Sequence, residues 1–278
     1  MPPGQESLTA QLGVLPWLAL GALGLIFGSF LNVVIYRVPR GQSIVSPPSH
    51  CPKCKKRIAP FDNIPVLSYL LLGGRCRNCR AKISPRYLLV EVMTALLFLA
   101  AYAKFGFSWD CARALVFTLF LIPMVMIDIE LQIIPFSLSV PGVILGLGSG
   151  YLPGIDLKSA AVGAALGASF VFISWALWRY VLAGLFKKMG VNQKEGMGMG
   201  DLPLAAMVGG FLGVRATIVA LFLAVVAGVV GGLILRRAKR QGRGVPMPFG
   251  PFLGLGGLIG LYWGNQLFAL YLKLVLGS

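Results

Sequence analysis

Apolar runs of about 20 residues recur from Leu15 almost to the last residue, and a run of that length is what a helix needs to cross the roughly 30 Å hydrocarbon core of a bilayer. Eight are expected, near Leu15–Ile35, Leu88–Tyr102, Ala114–Ile127, Ile133–Tyr151, Ala160–Leu185, Leu202–Leu212, Ala216–Leu235 and Phe252–Leu276. The third and sixth are short for a crossing, and Arg215 divides what would otherwise read as one long run from Leu202 to Leu235. The first has no basic segment before it and no small-residue cleavage site after it, which marks a retained helix and not a signal peptide. Composition agrees: 57% of the chain is hydrophobic and 12% charged, where a soluble domain carries about 25% charged residues. The expected fold is an all-α polytopic membrane protein of about eight transmembrane helices. Residues 1–36 form a tail and the first helix, 37–86 a polar insert, and 87–278 a seven-helix membrane domain.

The formal net charge of +16 would suit nucleic acid, but the basic residues cluster in loops between apolar runs, so nucleic-acid binding is excluded in favour of membrane orientation. With eight crossings, twenty Lys and Arg fall on the side of the polar insert and five on the other. Positive charge stays inside. The insert is therefore expected in the cytoplasm, with both termini outside.

Inside the insert, Cys51-Pro-Lys-Cys54 and Cys76-Arg-Asn-Cys79 are two C-x2-C knuckles with 21 residues between them. Each brings two thiolates within one tight turn, as a tetrahedral Zn²⁺ site requires. Two disulfides or free thiols are the alternatives, and a reducing cytoplasm disfavours the disulfides. Four thiolates leave no open coordination position, so the metal would be structural. His50 precedes the first knuckle as an alternative ligand but reads better as a solvated loop residue, and Cys111 has no partner in the sequence.

Two acids stand at the ends of apolar runs. Asp128 ends the third and Asp201 begins the sixth, so both lie on the same side of the membrane, that of the insert. An acid at such a place is costly and marks a site. Two carboxylates brought close share a proton, and one can act as general base on a water while the other polarises a carbonyl. Gly196, Gly198 and Gly200 run into Asp201 and would let an extended peptide approach the acid closely. Each acid also has a plainer reading: Asp201 as a helix N-cap with Pro203 in the first turn, Asp128 as an interfacial anchor beside Glu130. The pairing and the glycine run favour a site. A phosphate cradle is disfavoured, since no Lys-Ser/Thr follows the glycines. Elsewhere, Asp62-Asn-Ile-Pro65 reads as a turn with an Asx-type hydrogen bond, and Glu91 as a structural tie, with Arg86 its nearest base.

These motifs together resemble the type IV prepilin peptidases, bacterial inner-membrane aspartyl proteases of the Gly-x-Gly-Asp class. The resemblance rests on Gly28-Ser-Phe-Leu-Asn-Val-Val-Ile-Tyr-Arg37, the first Cys knuckle, Asp62–Tyr69, Gly74–Arg77, Ile83–Tyr87 with Glu91, Ile127-Asp128 with Ile134-Pro135, Gly198-Met-Gly-Asp201 and Pro248-Phe-Gly-Pro251. It implies that Asp128 and Asp201 are catalytic and that the substrate is the leader of a prepilin or pseudopilin, cut after a glycine at the cytoplasmic face. It also implies N-methylation of the new N-terminus from S-adenosylmethionine, for which the residues themselves show no donor site. Phe136 and Pro203 replace an acid and a lysine that are usual in the family, which bears on rate, pH optimum and substrate range.

Two rival classes remain. An ion- or proton-coupled transporter would use the acids as an ion site and the short runs as broken helices, but the acids lie at the membrane edge and no internal repeat is visible. A non-catalytic scaffold for pilus or secretion assembly is the other. The basic loop around Lys187–Lys194 is expected to move over the substrate.

Overall fold

The structure is a computed structural model and describes residues 13–184, 198–239 and 248–277. The loop at Lys187–Lys194, and Gly196 with it, lies outside the described residues. Among those described, every regular element is helical, apart from two isolated bridges in the insert. The chain forms two compact units that divide after Pro123.

In the first unit, α1 (Leu15–Arg37) packs against α3 (Pro85–Phe105). Lipid gives helices no hydrophobic reason to associate, so close packing of small residues must hold them. Gly24 and Gly28 do this: a Cβ at either would overlap the backbone of Ala95 or Glu91 on α3. Asn32 adds a cross-helix bond, its Nδ2 donating to the Tyr87 carbonyl at 3.0 Å. Pro85 opens α3 at a position where its missing N–H costs nothing, and Ser84 caps it by accepting from the Arg86 amide. The insert between these helices contains the 3₁₀ turns Val38–Arg40 and Pro60–Asn63 and the five-residue helix α2 (Leu67–Leu71). Arg37, buried at the end of α1, anchors its start by donating to the Ser43 and Pro47 carbonyls.

Helix α4 (Trp109–Leu131) carries Pro123 within it, and its last turns belong to the second unit. That unit continues with α5 (Phe136–Gly148), α6 (Leu157–Leu177, extended by a π turn at Trp178–Leu182), α7 (Asp201–Lys239) and α8 (Gly250–Leu276). Helix α7 is its hub, packed against α5, α6 and α8. At the crossing of α6 and α7, Gly163 and Gly209 face each other so closely that a Cβ on either would overlap the other helix's backbone.

Five described helices are long and apolar enough to cross a membrane, fewer than the eight runs expected. The third run proves longer than its apolar stretch, a helix of 23 residues. The fourth is a short helix of 13 residues ending in a 3₁₀ turn. Helix α8 has 27 residues, but Asn265-Gln266 dilutes its apolar character. The sixth and seventh runs join in α7, which breaks at Gly213 (φ 71°) and not at Arg215. A break inside a span must satisfy its own backbone, and the Ser159 hydroxyl accepts the Val214 amide there at 3.2 Å.

Candidate active site

Asp128 lies one turn before the end of α4, where Gln132 takes a left-handed conformation (φ 56°) and donates its amide to the Asp128 carbonyl. The Asp128 side chain is 5% exposed. Its Oδ2 accepts the Gly250 amide at 2.9 Å, at the first residue of α8 and 122 positions away in sequence. A Cβ at Gly250 would overlap that same oxygen. Glycine is thus required here by close approach, while Pro251 follows it in the first turn of the helix.

Asp201 is 6% exposed and begins α7. Gly198–Gly200 fold into a turn ahead of it, the amides of Asp201 and Leu202 donating to the carbonyls of Gly198 and Met199. The carboxylate turns back to accept the Gly198 amide. A cap would reach forward to the second or third amide of the helix, and Pro203 removes the first of these two. Gly200 lies beside Ile134, in the short link from α4 to α5, so the turn bearing Asp201 is seated on the segment that follows Asp128. The two acids are near enough for their charges to interact. Among the described residues no Lys or Arg pairs with either. The structure therefore brings together Asp128, Asp201, Gly198 and Gly200, and adds Gly250.

The four knuckle cysteines converge as well, their sulfurs lying within 4.8 Å of one another. Cys51 and Cys79 Sγ are 3.8 Å apart. Tetrahedral Zn–S bonds of about 2.3 Å place sulfurs at about that same separation. All four thiols are free, so the disulfide alternative does not hold here. The knuckles are built alike: Lys55 and Arg80, each after its second cysteine, adopt positive φ and donate back to Cys51 and Cys76. Backbone amides, that of Cys54 foremost, lower the Cys51 thiol to about 6. Cys79 is pushed up to about 11, because desolvation and the other thiols outweigh the Ala81 amide that lowers it. Such a cluster suits a cation that displaces its protons. His50 stands outside the group, bonded to the Pro48 carbonyl. Cys111 is buried on α4, away from the group.

Residues 22–105 match the bacterial peptidase A24 N-terminal domain, and residues 115–233 match the type IV leader peptidase family. Among similar proteins is a prepilin leader peptidase/N-methyltransferase of Myxococcus xanthus, 43% identical over 85% of this chain and 68% of its own. Proteins of the same name from Pseudomonas aeruginosa (38% identical, 90% of this chain and 91% of its own) and Neisseria gonorrhoeae (37%, 85% and 87%) are also similar. The chain belongs to the type IV leader peptidase family. No solved structure matches it.

Within this family member, two readings in the first unit need correction. Asp62 is not an Asx-turn residue: it receives a bidentate bond from Arg77 (Nη2 to Oδ1 2.6 Å, Nε to Oδ2 2.8 Å), tying the Pro60–Asn63 turn to the second knuckle. Glu91 is a tie, but to the insert and not to Arg86: its Oε2 accepts the Val66 amide at 2.8 Å, and Ser29 bonds it as well. Gly250 is the residue of the candidate site least visible in sequence. Its motif, Pro248-Phe-Gly-Pro251, stood out only through resemblance, because a backbone amide leaves no side-chain signature. Phe136 is exposed at the start of α5, and Pro203 sits in the first turn of α7.

Proposed function

We propose that this protein is an aspartyl endopeptidase that removes the leader of prepilins or pseudopilins after a glycine, with Asp128 and Asp201 as its catalytic pair. The observation that carries this reading is two buried carboxylates, 73 positions apart in sequence on α4 and α7, within electrostatic reach and each met by a glycine amide. The pair holds one proton between them. The ionised acid takes a proton from water as the oxygen attacks the scissile carbonyl, and the protonated acid donates to the carbonyl oxygen. Collapse of the tetrahedral intermediate returns a proton to the leaving nitrogen, giving one new carboxyl and one new amino terminus. The open Gly198–Gly200 turn leaves room for an extended peptide beside Asp201.

The relatives' name joins N-methylation to cleavage, and we assign that second step here too, using S-adenosylmethionine on the new amino terminus. Cys51, Cys54, Cys76 and Cys79 would hold a structural Zn²⁺ that fixes the fold of the insert. With α7 counted as two segments at Gly213, the chain makes eight passes. Its charge asymmetry then turns the insert and the acid pair toward the cytoplasm in the inner membrane.

The test is purified protein in detergent with a prepilin leader peptide, beside Asp128→Asn and Asp201→Asn, with products read by mass spectrometry. Cleavage after glycine that disappears in both variants is expected. Added S-adenosylmethionine should then shift the product by the mass of one methyl group. Cleavage surviving either substitution would remove the pair from the mechanism.

A further inference from the structure

Helix α2 is inverted. Its polar Ser68 points inward, donating to the Phe61 carbonyl at 2.8 Å and accepting the Ile64 amide at 3.1 Å. Its leucines point outward: Leu67, Leu70 and Leu71 lie on one helical face, Leu70 62% and Leu71 77% exposed, with Phe61 and Ile64 exposed just before them. A helix facing water buries its apolar stripe and shows its polar one. This one does the reverse.

Its height along the spans is set by Glu91. Val66, immediately before α2, donates to the Glu91 carboxylate. Glu91 is six residues into α3, about 9 Å along its axis at 1.5 Å per residue. The 21 residues of α3 extend about 31 Å, close to the hydrocarbon thickness, so Glu91 and the segment bonded to it lie about 9 Å in from the insert end of the span, within the roughly 5–10 Å to which an interfacial element sinks its apolar face. Val66 is held there with φ 62°, a conformation costly for a β-branched residue and kept only when its surroundings impose it.

The rest of the insert is basic. Lys53, Lys55, Lys56, Arg57, Arg75, Arg77, Arg80 and Lys82 are exposed, and the one acid, Asp62, is taken by Arg77. Outward leucines at the acyl boundary beneath a cationic surface match what an interfacial amphipathic element presents to a membrane with anionic lipid.

From this we infer that Phe61–Leu71 is an interfacial anchor, its leucines inserted in the lipid surface and its neighbouring Lys and Arg on anionic headgroups. The membrane thereby completes the fold of the cysteine insert. This holds whether or not the acid pair is catalytic.

The full chain in nanodiscs, carrying p-benzoylphenylalanine in place of Leu71, Leu70 or Asn78, tests it by photocrosslinking to radiolabelled phosphatidylcholine and phosphatidylglycerol. Asn78 is exposed on the second knuckle and serves as the polar control. Positions 70 and 71 should label lipid at least about fivefold more than position 78. Omitting phosphatidylglycerol should lower that yield by about fivefold, the effect of one Lys or Arg contact at an anionic surface. Equal labelling at all three positions, crosslinks to a second chain in place of lipid, or a yield indifferent to phosphatidylglycerol would each overturn the anchor.

Discussion

Replacing Gly250 by alanine perturbs the acid pair without touching either acid. The added methyl would overlap Asp128 Oδ2, so the carboxylate must swing away and lose the amide bond now 2.9 Å long. A hydrogen bond to a charged group is worth about 1.5–3 kcal/mol. At about 1.4 kcal/mol per decade of rate, Gly250→Ala should lower kcat by about 10- to 150-fold. The assay is the steady-state rate of leader-peptide cleavage in detergent, with KM measured separately. If the amide only orients the acid, KM should stay within about twofold while kcat falls. Gly228→Ala is the control, because a Cβ there meets Phe249 only at an ordinary 3.8 Å. A Gly250→Ala enzyme with wild-type kcat, or with a loss matched by Gly228→Ala, would refute the argument that this amide holds the catalytic carboxylate.

Further outcomes are expected elsewhere. Cys76→Ser should reduce zinc measured by plasma mass spectrometry from about one ion per chain, as a four-thiolate site holds, toward none, and should raise hydrogen exchange in residues 50–83. Gly209→Val drives a side chain into the Gly163 backbone; overpacking of this kind costs about 1–3 kcal/mol, visible as a lower Tm in detergent. The Arg77 guanidinium hydrogen-bonds Asp62 and holds its carboxyl below the usual range. A depressed acid contributes above its unfolded value, about pH 4, and its contribution goes as pH falls through the lower folded value. Exchange at residues 60–63, corrected for intrinsic rates, should therefore rise in the wild type only below about pH 4, and be raised at every pH in Asp62→Asn.

The contrast between Asp201 and Glu91 shows how far a one-dimensional pattern reaches. Asp201 was legible because a glycine run, an acid and an apolar helix follow one another within a few residues, and parity placed it with Asp128. Glu91 was legible only as an acid in a span. The nearest base in sequence was the wrong partner, since the true one, the Val66 amide, comes from a loop 25 residues back. The same limit displaced the break in α7. Arg215 marks the spot by charge, but the backbone turns at Gly213, where Ser159, 55 residues earlier, takes the freed amide.

Hydropathy, charge asymmetry, the two cysteine knuckles and the pair of acids were determined by the sequence itself, because each arises from neighbours along the chain or from counting crossings. Packing decided what remained: that α8 offers its first amide to Asp128, that the insert hangs from Glu91, and that α2 turns its leucines outward. Each depends on which backbone groups come within about 3 Å after the helices close on one another, and backbone groups are alike at every residue until the fold selects among them.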